Sequence, residues 1–421
     1  MPRLVAMWCA LTAVAAPAVP AGVQVMPGQG VDRPGQRLVL RGCGLSAAST
    51  VQVGGRPCAN LTVVSAGELA CDLPVGLALG FHQIDVAPGL TLPRAFFSLG
   101  APILWLSAER LQGNADGGIE TWPDGSGFGH DCRQPAPASR PRWRTGGPGG
   151  LPTVDFASVD GTADWLAVSD TPALRPGQLS AAAVIVPVGV SAWGKVLSKD
   201  YNATGTWASP YVSYNLSSSF AATGAPYWEV ALGGAEGKLQ ATQPLPSGSP
   251  AMLVGTFDNL ELRFWVDGAN PVTRGWVGPI DYNGRSSDLA IGARSPYTPA
   301  EFFTGSISEL VLYGQALSTP QRLELEAYLA GRYRLDGGLV TDAGTVVCAT
   351  GDDGGAGDAG SGDDGDAGTE ASLPAGRSDF GVRSDCASSP ATAPGALFVV
   401  AAARALRRRR RAQWTVRRGR H

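Results

Sequence analysis

The residues best suited to hold a small ligand crowd one stretch, where Trp193, Tyr201, Trp207, Tyr211 and Tyr214 interleave with Lys195, Lys199, Asp200 and Asn202. An aromatic ring covers the apolar side of a pyranose while polar neighbours bond its hydroxyls, so this is the composition of a saccharide pocket. Trp193, Tyr201, Trp207 and Tyr211 are the candidate ligand-binding residues. Trp207 sits in Thr204-Gly205-Thr206-Trp207-Ala208-Ser209-Pro210, which reads as a loop and predicts exposure. Tyr211 and Tyr214 also suit the core or a face of a sheet. Catalysis has less material. His82, His130 and His421 are the only histidines, too few for a multi-histidine metal centre and sparse for general acid–base chemistry. Glu324 and Glu326 lie at i, i+2 on a candidate helix and point apart, which places them on a solvated face. No strand face carries the two carboxylates that glycoside hydrolysis requires. No catalytic residue is assigned, and the chain reads as a binder rather than an enzyme.

None of the seven cysteines forms a CxxC pair. Cys58 and Cys71 bracket a short segment and are the first pairing expected in an exported chain, where disulfides are permitted; Cys43, Cys132 and Cys348 are not assigned. Charge excludes one class of partner. Nine arginines lie between Arg404 and Arg420, and without them 24 basic residues face 36 acidic ones. An acidic body repels phosphate backbones, so no nucleic-acid partner is expected.

The elements that must position these residues are strands. Gly (57) and Pro (32) make up about a fifth of the 421 residues, and strong helix formers are scarce. From residue 22 to 99 short apolar runs recur between turn signals: Arg37-Leu38-Val39-Leu40, Thr50-Val51-Gln52-Val53, Leu61-Thr62-Val63-Val64 and Phe81-His82-Gln83-Ile84-Asp85-Val86. That spacing predicts a small sandwich. From 101 to 336 strands recur from Ile103-Leu104-Trp105-Leu106 to Leu289-Ala290-Ile291-Gly292, and Glu261-Leu262-Arg263-Phe264-Trp265-Val266-Asp267-Gly268 alternates and ends on a turn, as a half-buried hairpin strand does. One helix is credible. Ser318-Thr319-Pro320-Gln321 supplies a capping box and an early proline, and Gly331 or Gly337 is the expected end.

The two ends differ in kind. Residues 1–21 combine Arg3, an apolar run from Leu4 to Ala16 and small residues at Val19-Pro20-Ala21, the pattern of a secretory signal peptide. Residues 337–393 form a Gly/Asp-rich acidic linker that cannot bury a core. Residues 394–421 join a short apolar segment to the arginine cluster, the one place where membrane contact is expected.

The order Arg41-Gly42-Cys43-Gly44-Leu45, Val51-Gln52-Val53-Gly54-Gly55-Arg56-Pro57-Cys58 and Leu69-Ala70-Cys71-Asp72-Leu73-Pro74 resembles the IPT/TIG immunoglobulin-like family over residues 22–99, whose members often carry a Cys pair at the positions of Cys58 and Cys71. Trp105-Leu106-Ser107-Ala108, Thr121-Trp122-Pro123-Asp124-Gly125-Ser126-Gly127, Val154-Asp155-Phe156, Trp265-Val266-Asp267-Gly268 and Gly305-Ser306-Ile307-Ser308-Glu309-Leu310 before the helix resemble the laminin-G-like, concanavalin A-like lectin/glucanase jelly roll. Cys386 with the apolar segment and arginine cluster resembles a myxobacterial C-terminal sorting tail. Together these imply an all-β protein: a small immunoglobulin-like sandwich and a larger jelly roll with one C-terminal helix. The jelly-roll resemblance also implies a possible Ca²⁺ ion, for which Asp124 and Glu309 are the candidate ligands, and it implies binding of a polysaccharide or an envelope protein. The Glu-x-Asp-x-Glu strand of the related endoglucanases is absent. The expectation is an exported, cell-surface binding or adhesion protein; the alternatives are a glycoside hydrolase-like enzyme and a purely structural envelope protein.

Overall fold

The structure, a computed structural model of the 421-residue chain, describes residues 22–42, 45, 48–111, 118–156, 163–189, 192–202, 207–269 and 271–335. The expected signal peptide, acidic linker and arginine tail lie outside these residues, as do Cys43, Cys348 and Cys386. The described residues fall within one compact unit. No helix among the described residues is long and apolar enough to cross a membrane.

The N-terminal part is a sandwich of short strands: β1 (Val23–Met26), β2 (Arg37–Gly42), β3 (Thr50–Val53), β4 (Ala59–Ser65), β5 (Glu68–Asp72), β6 (Gly80–Ala87) and β7 (Leu90–Ser98). One sheet runs β1-β2-β5-β4; the other is built on β7-β6-β3. In β2, Leu38 and Leu40 point inward while Arg37 and Arg41 point out to Asp72 and Glu68 on β5, the alternation that a strand's period of two demands. Cys58 and Cys71 are both thiols whose side chains hydrogen bond to each other. That contact lowers the Cys58 pKa and, with burial, raises that of Cys71.

The larger part contains β8 (Leu104–Ser107), β9 (Thr153–Phe156), β10 (Leu166–Val168), β11 (Leu179–Pro187), β12 (Lys195–Asp200), β13 (Val212–Ser217), β14 (Tyr227–Leu232), β15 (Ala235–Gln240), β16 (Ala251–Phe257), β17 (Glu261–Val266), β18 (Leu289–Ile291) and β19 (Gly305–Tyr313), followed by α1 (Thr319–Tyr333). The first sheet runs β9-β19-β11-β16-β17, with β8 also on β19; the second runs β10-β18-β12-β13-β14-β15. They enclose a core that includes Leu106, Phe156, Leu216, Trp228, Phe257 and Leu310.

The helix starts where the sequence places it. Ser318 is the N-cap, its N–H donating to Gln321 Oε1 at 3.0 Å. Its end differs from expectation, because the helix runs through Gly331 to Tyr333 and Arg334 takes the left-handed conformation (φ 53°). Glu324 and Glu326 do point apart: Glu324 keeps a partly exposed side chain, whereas Glu326 is not on a solvated face. Glu324 accepts the Phe81 N–H and pairs with Arg94 of the N-terminal sandwich; Glu326 is buried and pairs with Arg322. Both positions follow from what surrounds α1. Leu325, Tyr328, Leu329 and Tyr333 meet Val184, Val254, Val311 and Tyr313 of the first sheet on one side and Val31, Phe97 and Leu99 of the N-terminal sandwich on the other. Phe97 stacks on Tyr328 with ring centres 4.1 Å apart, so the helix is the joint between the two sandwiches.

Candidate functional site

The two faces of the second sheet differ in kind. Leu197 on β12, Leu216 on β13, Trp228 on β14 and Leu239 on β15 are cross-strand partners and point into the core. The next row over, Ser198, Asn215, Glu229 and Lys238, is paired in the same way and lies on the opposite face, because successive side chains alternate across a sheet. A second polar row follows, with Lys195, Ser217, Tyr227 and Gln240. This outer face is almost wholly buried: Ser198, Asn215 and Ser217 are 0% exposed and Glu229 2%.

Within it a relay runs from Ser217 Oγ, which donates to Asn215 Oδ1 at 2.6 Å, to Asn215 Nδ2, which donates to Glu229 Oε2 at 2.7 Å. The other oxygen, Glu229 Oε1, has no hydrogen-bond partner among the described residues, and neither has Ser198 Oγ or Ser213 Oγ. Burial pushes the Glu229 carboxyl up against the pull of Lys195 and Lys238, and pushes the Lys195 ammonium down. A buried polar atom left unpaired costs about 1–3 kcal/mol, and three of them share this face.

Aromatic residues stand at each end. Beyond the N-terminal end of β12, Trp193 meets Phe220 edge to face at 4.4 Å, and the Lys238 ammonium lies 5.4 Å from the ring centres of Trp193, Phe220 and Tyr227. Beyond its C-terminal end, Trp207 is 58% exposed and covers the buried Arg294 guanidinium at 4.1 Å, with Tyr211 6.2 Å away. Glu236 on β15 fastens this segment by accepting from Ser209 Oγ at 2.9 Å and from the Tyr211 N–H at 3.4 Å. Arg294 in turn reaches Asp200 at 3.7 Å. A strand rises ~3.4 Å per residue, so the six residues of β12 separate the two ends by about 17 Å.

The four candidate aromatics therefore do not form one patch. Trp207 and Tyr211 come together at one end and Trp193 stands at the other, because β12 runs between them. Tyr201 is 8% exposed, and its hydroxyl donates to Asp281 Oδ2 at 2.9 Å; burial and that partner raise it to about 12. Tyr214 belongs to the core, its hydroxyl donating to the Leu174 carbonyl. Lys199 also points inward, its Nζ 2.5 Å from both Asp170 Oδ1 and the Ser287 carbonyl. Sequence reasoning missed Ser198, Ser213, Asn215 and Glu229. A signal existed in β13, which alternates Ser-x-Asn-x-Ser, with short side chains where a solvated face would carry Lys or Glu.

Asp124 and Glu309 do not fit a calcium ion. Asp124 accepts from the backbone N–H groups of Trp105, Ser126 and His130 and from Ser126 Oγ. Glu309 accepts from Trp105 Nε1 at 2.7 Å, Tyr333 OH at 2.8 Å and Tyr328 OH at 3.3 Å. A hard cation requires six to eight oxygens; these carboxylates are spent on protein donors, and no cluster of three His, Cys, Asp or Glu side chains occurs among the described residues. His130 is buried between the Ile103 carbonyl and Thr171 Oγ1.

A family profile described as the concanavalin A-like lectin/glucanases superfamily, laminin-G type, matches residues 160–321. No match was found among curated proteins. Among solved structures the chain is similar to domain 4 of AbnA, a GH43 extracellular arabinanase from Geobacillus stearothermophilus, in complex with arabinotriose (14% identity, 53% of this chain and 98% of that one, TM-score 0.39). It is also similar to the CBM40 of the Ruminococcus gnavus IT-sialidase bound to α2,3-sialyllactose (14%, 36% and 83%, TM-score 0.30), and to the binding domain of botulinum neurotoxin serotype D (10%, 54% and 51%, TM-score 0.38). The larger sandwich has a concanavalin A-like jelly-roll fold, and its residues 160–321 are similar to the laminin-G-type profile.

Proposed function

We propose that the jelly roll is the binding head of an exported surface protein and takes an oligosaccharide along the outer face of its second sheet. The observation that carries this reading is the floor of Ser198, Ser213 and Glu229, whose buried polar atoms lack partners, set between aromatic ends at Trp207 and Trp193. Ring stacking and hydroxyl pairing are the two interactions a saccharide offers. Export is supported by the signal-like residues 1–21 and display by the tail beyond residue 393.

Binding is favoured over turnover. The nearest carboxylate pair on this face, Glu229 and Glu236, shares the Lys238 ammonium at 3.7 and 3.5 Å, which occupies the place a water or sugar would need between an acid and a base. The test is titration of the full chain against soluble glycans, watching both heat of binding and released product. Trp207→Ala should weaken a bound glycan by about tenfold, the ~1.4 kcal/mol of one lost ring contact. Trp207→Ala affinity equal to wild type would sink the site, and product release would turn the reading to hydrolysis.

A further inference from the structure

We infer that the groove selects uncharged, hydroxyl-rich saccharides and rejects carboxylated ones. This rests on the site proposed above and adds the class of ligand it takes. The argument is a census of charge. Three cations serve the face, and each already has a carboxylate: Lys195 lies 3.5 Å from Glu301, Lys238 3.5 Å from Glu236 and 3.7 Å from Glu229, and Arg294 3.7 Å from Asp200. Four carboxylates thus stand against three ammonium or guanidinium groups, and no cation among the described residues of the face is left to meet an incoming anion.

The atoms that do lack partners ask for something else. Glu229 Oε1 is an acceptor, and the Ser198 and Ser213 hydroxyls each donate one hydrogen bond and accept others. A sugar hydroxyl supplies both halves, donating to the carboxylate and accepting from a serine. A uronate or sialate carboxylate would instead be drawn out of water beside Glu229, and like charges buried together oppose binding strongly.

The test uses the full chain at neutral pH and two ligand pairs: galactotriose against trigalacturonate, which differ only in oxidation at C6, and lactose against sialyllactose, which adds one carboxylated sugar. The neutral member of at least one pair should bind at least about tenfold more tightly. Glu229→Gln keeps the shape while removing the surplus negative charge, and should narrow that gap to about threefold or less. If the carboxylated members bind as tightly as the neutral ones, or if Glu229→Gln leaves the gap unchanged, the charge argument is overturned while the binding site stands. If no neutral or acidic saccharide binds, both this inference and the site beneath it fail.

Discussion

Glu309 sits at the centre of the joint formed by α1, and its ionisation should set the pH dependence of the fold. The carboxyl is fully enclosed by Trp105, Tyr328 and Tyr333, with Arg332 Nε 4.0 Å away. Burial is the largest influence on it and outweighs the three donors, raising its pKa from 4.5 to about 7. Below pH 4.5 the group is protonated in folded and unfolded chains alike, and its burial is not penalised. Between 4.5 and 7 the unfolded chain releases the proton while the fold retains it, so stability falls as pH rises. Above pH 7 the loss is complete; at ~1.36 kcal/mol per pH unit it amounts to about 3 kcal/mol. Glu309→Gln keeps an amide oxygen to accept from Trp105 Nε1 and Tyr328 OH, turns an amide N–H towards the Tyr333 hydroxyl oxygen, and carries no charge. Urea unfolding at a series of pH values measures the difference. Relative to wild type, the variant should gain about 3 kcal/mol between pH 4.5 and about pH 8. Asp155, Asp267, Glu229 and Glu326, also raised by burial, are present in both proteins and cancel. Parallel curves for the two proteins would refute the reasoning, because Glu309 would then be held ionised by its donors.

Three further outcomes follow from the same geometry. Phe97→Ala removes the ring stacked on Tyr328 and should cost about 3–5 kcal/mol in urea unfolding, with faster limited proteolysis between residues 99 and 103; unchanged proteolysis would mean that the sandwiches are held together elsewhere. Secreted protein should carry a Cys58–Cys71 bridge, seen as protection of both sulfurs from alkylation until reduction, and reduction should lower stability by about 2–3 kcal/mol. Free labelling of Cys58 in unreduced protein would exclude the bridge. Trp207→Ala should weaken glycan binding and lower stability by about 0.5–2 kcal/mol, the worth of its cation–π contact with the buried Arg294; a larger loss in urea unfolding would make the ring a structural element first.

How much of this was legible in the sequence depended on range. Local signals carried through. The Ser318–Gln321 capping box begins the helix, and the alternation of Glu261 to Val266 is a strand whose Leu262 and Phe264 enter the core. Long-range pairings did not. Glu309 read as a candidate calcium ligand through the jelly-roll resemblance, yet its counterparts are Trp105, 204 residues earlier, and Tyr328 and Tyr333, 19 and 24 residues later. Trp193 and Tyr201 looked adjacent because they are near in sequence, whereas the intervening strand holds them apart. The polar floor was hidden for the opposite reason, since each strand contributes only two or three residues and the row exists only once the strands are in register.

The contrast between the jelly roll's two outer faces yields a last prediction. On the first sheet the outer face carries Val184, Val254, Trp265, Val311 and Tyr313, an apolar surface that needs a cover, and α1 with the N-terminal sandwich supplies it. The second sheet's outer face is polar, and its burial leaves Ser198 Oγ, Ser213 Oγ and Glu229 Oε1 without partners. Those atoms already cost the unliganded fold about 1–3 kcal/mol each, a cost that a residue chosen for stability alone would avoid. Ser198→Ala and Ser213→Ala should therefore raise stability by about 1 kcal/mol each while weakening a neutral glycan. Urea unfolding and titration of the same variants give both quantities, and opposite signs are expected. A loss of stability in either variant would mean that its hydroxyl is satisfied inside the fold, and the serines would then be structural rather than placed for a ligand.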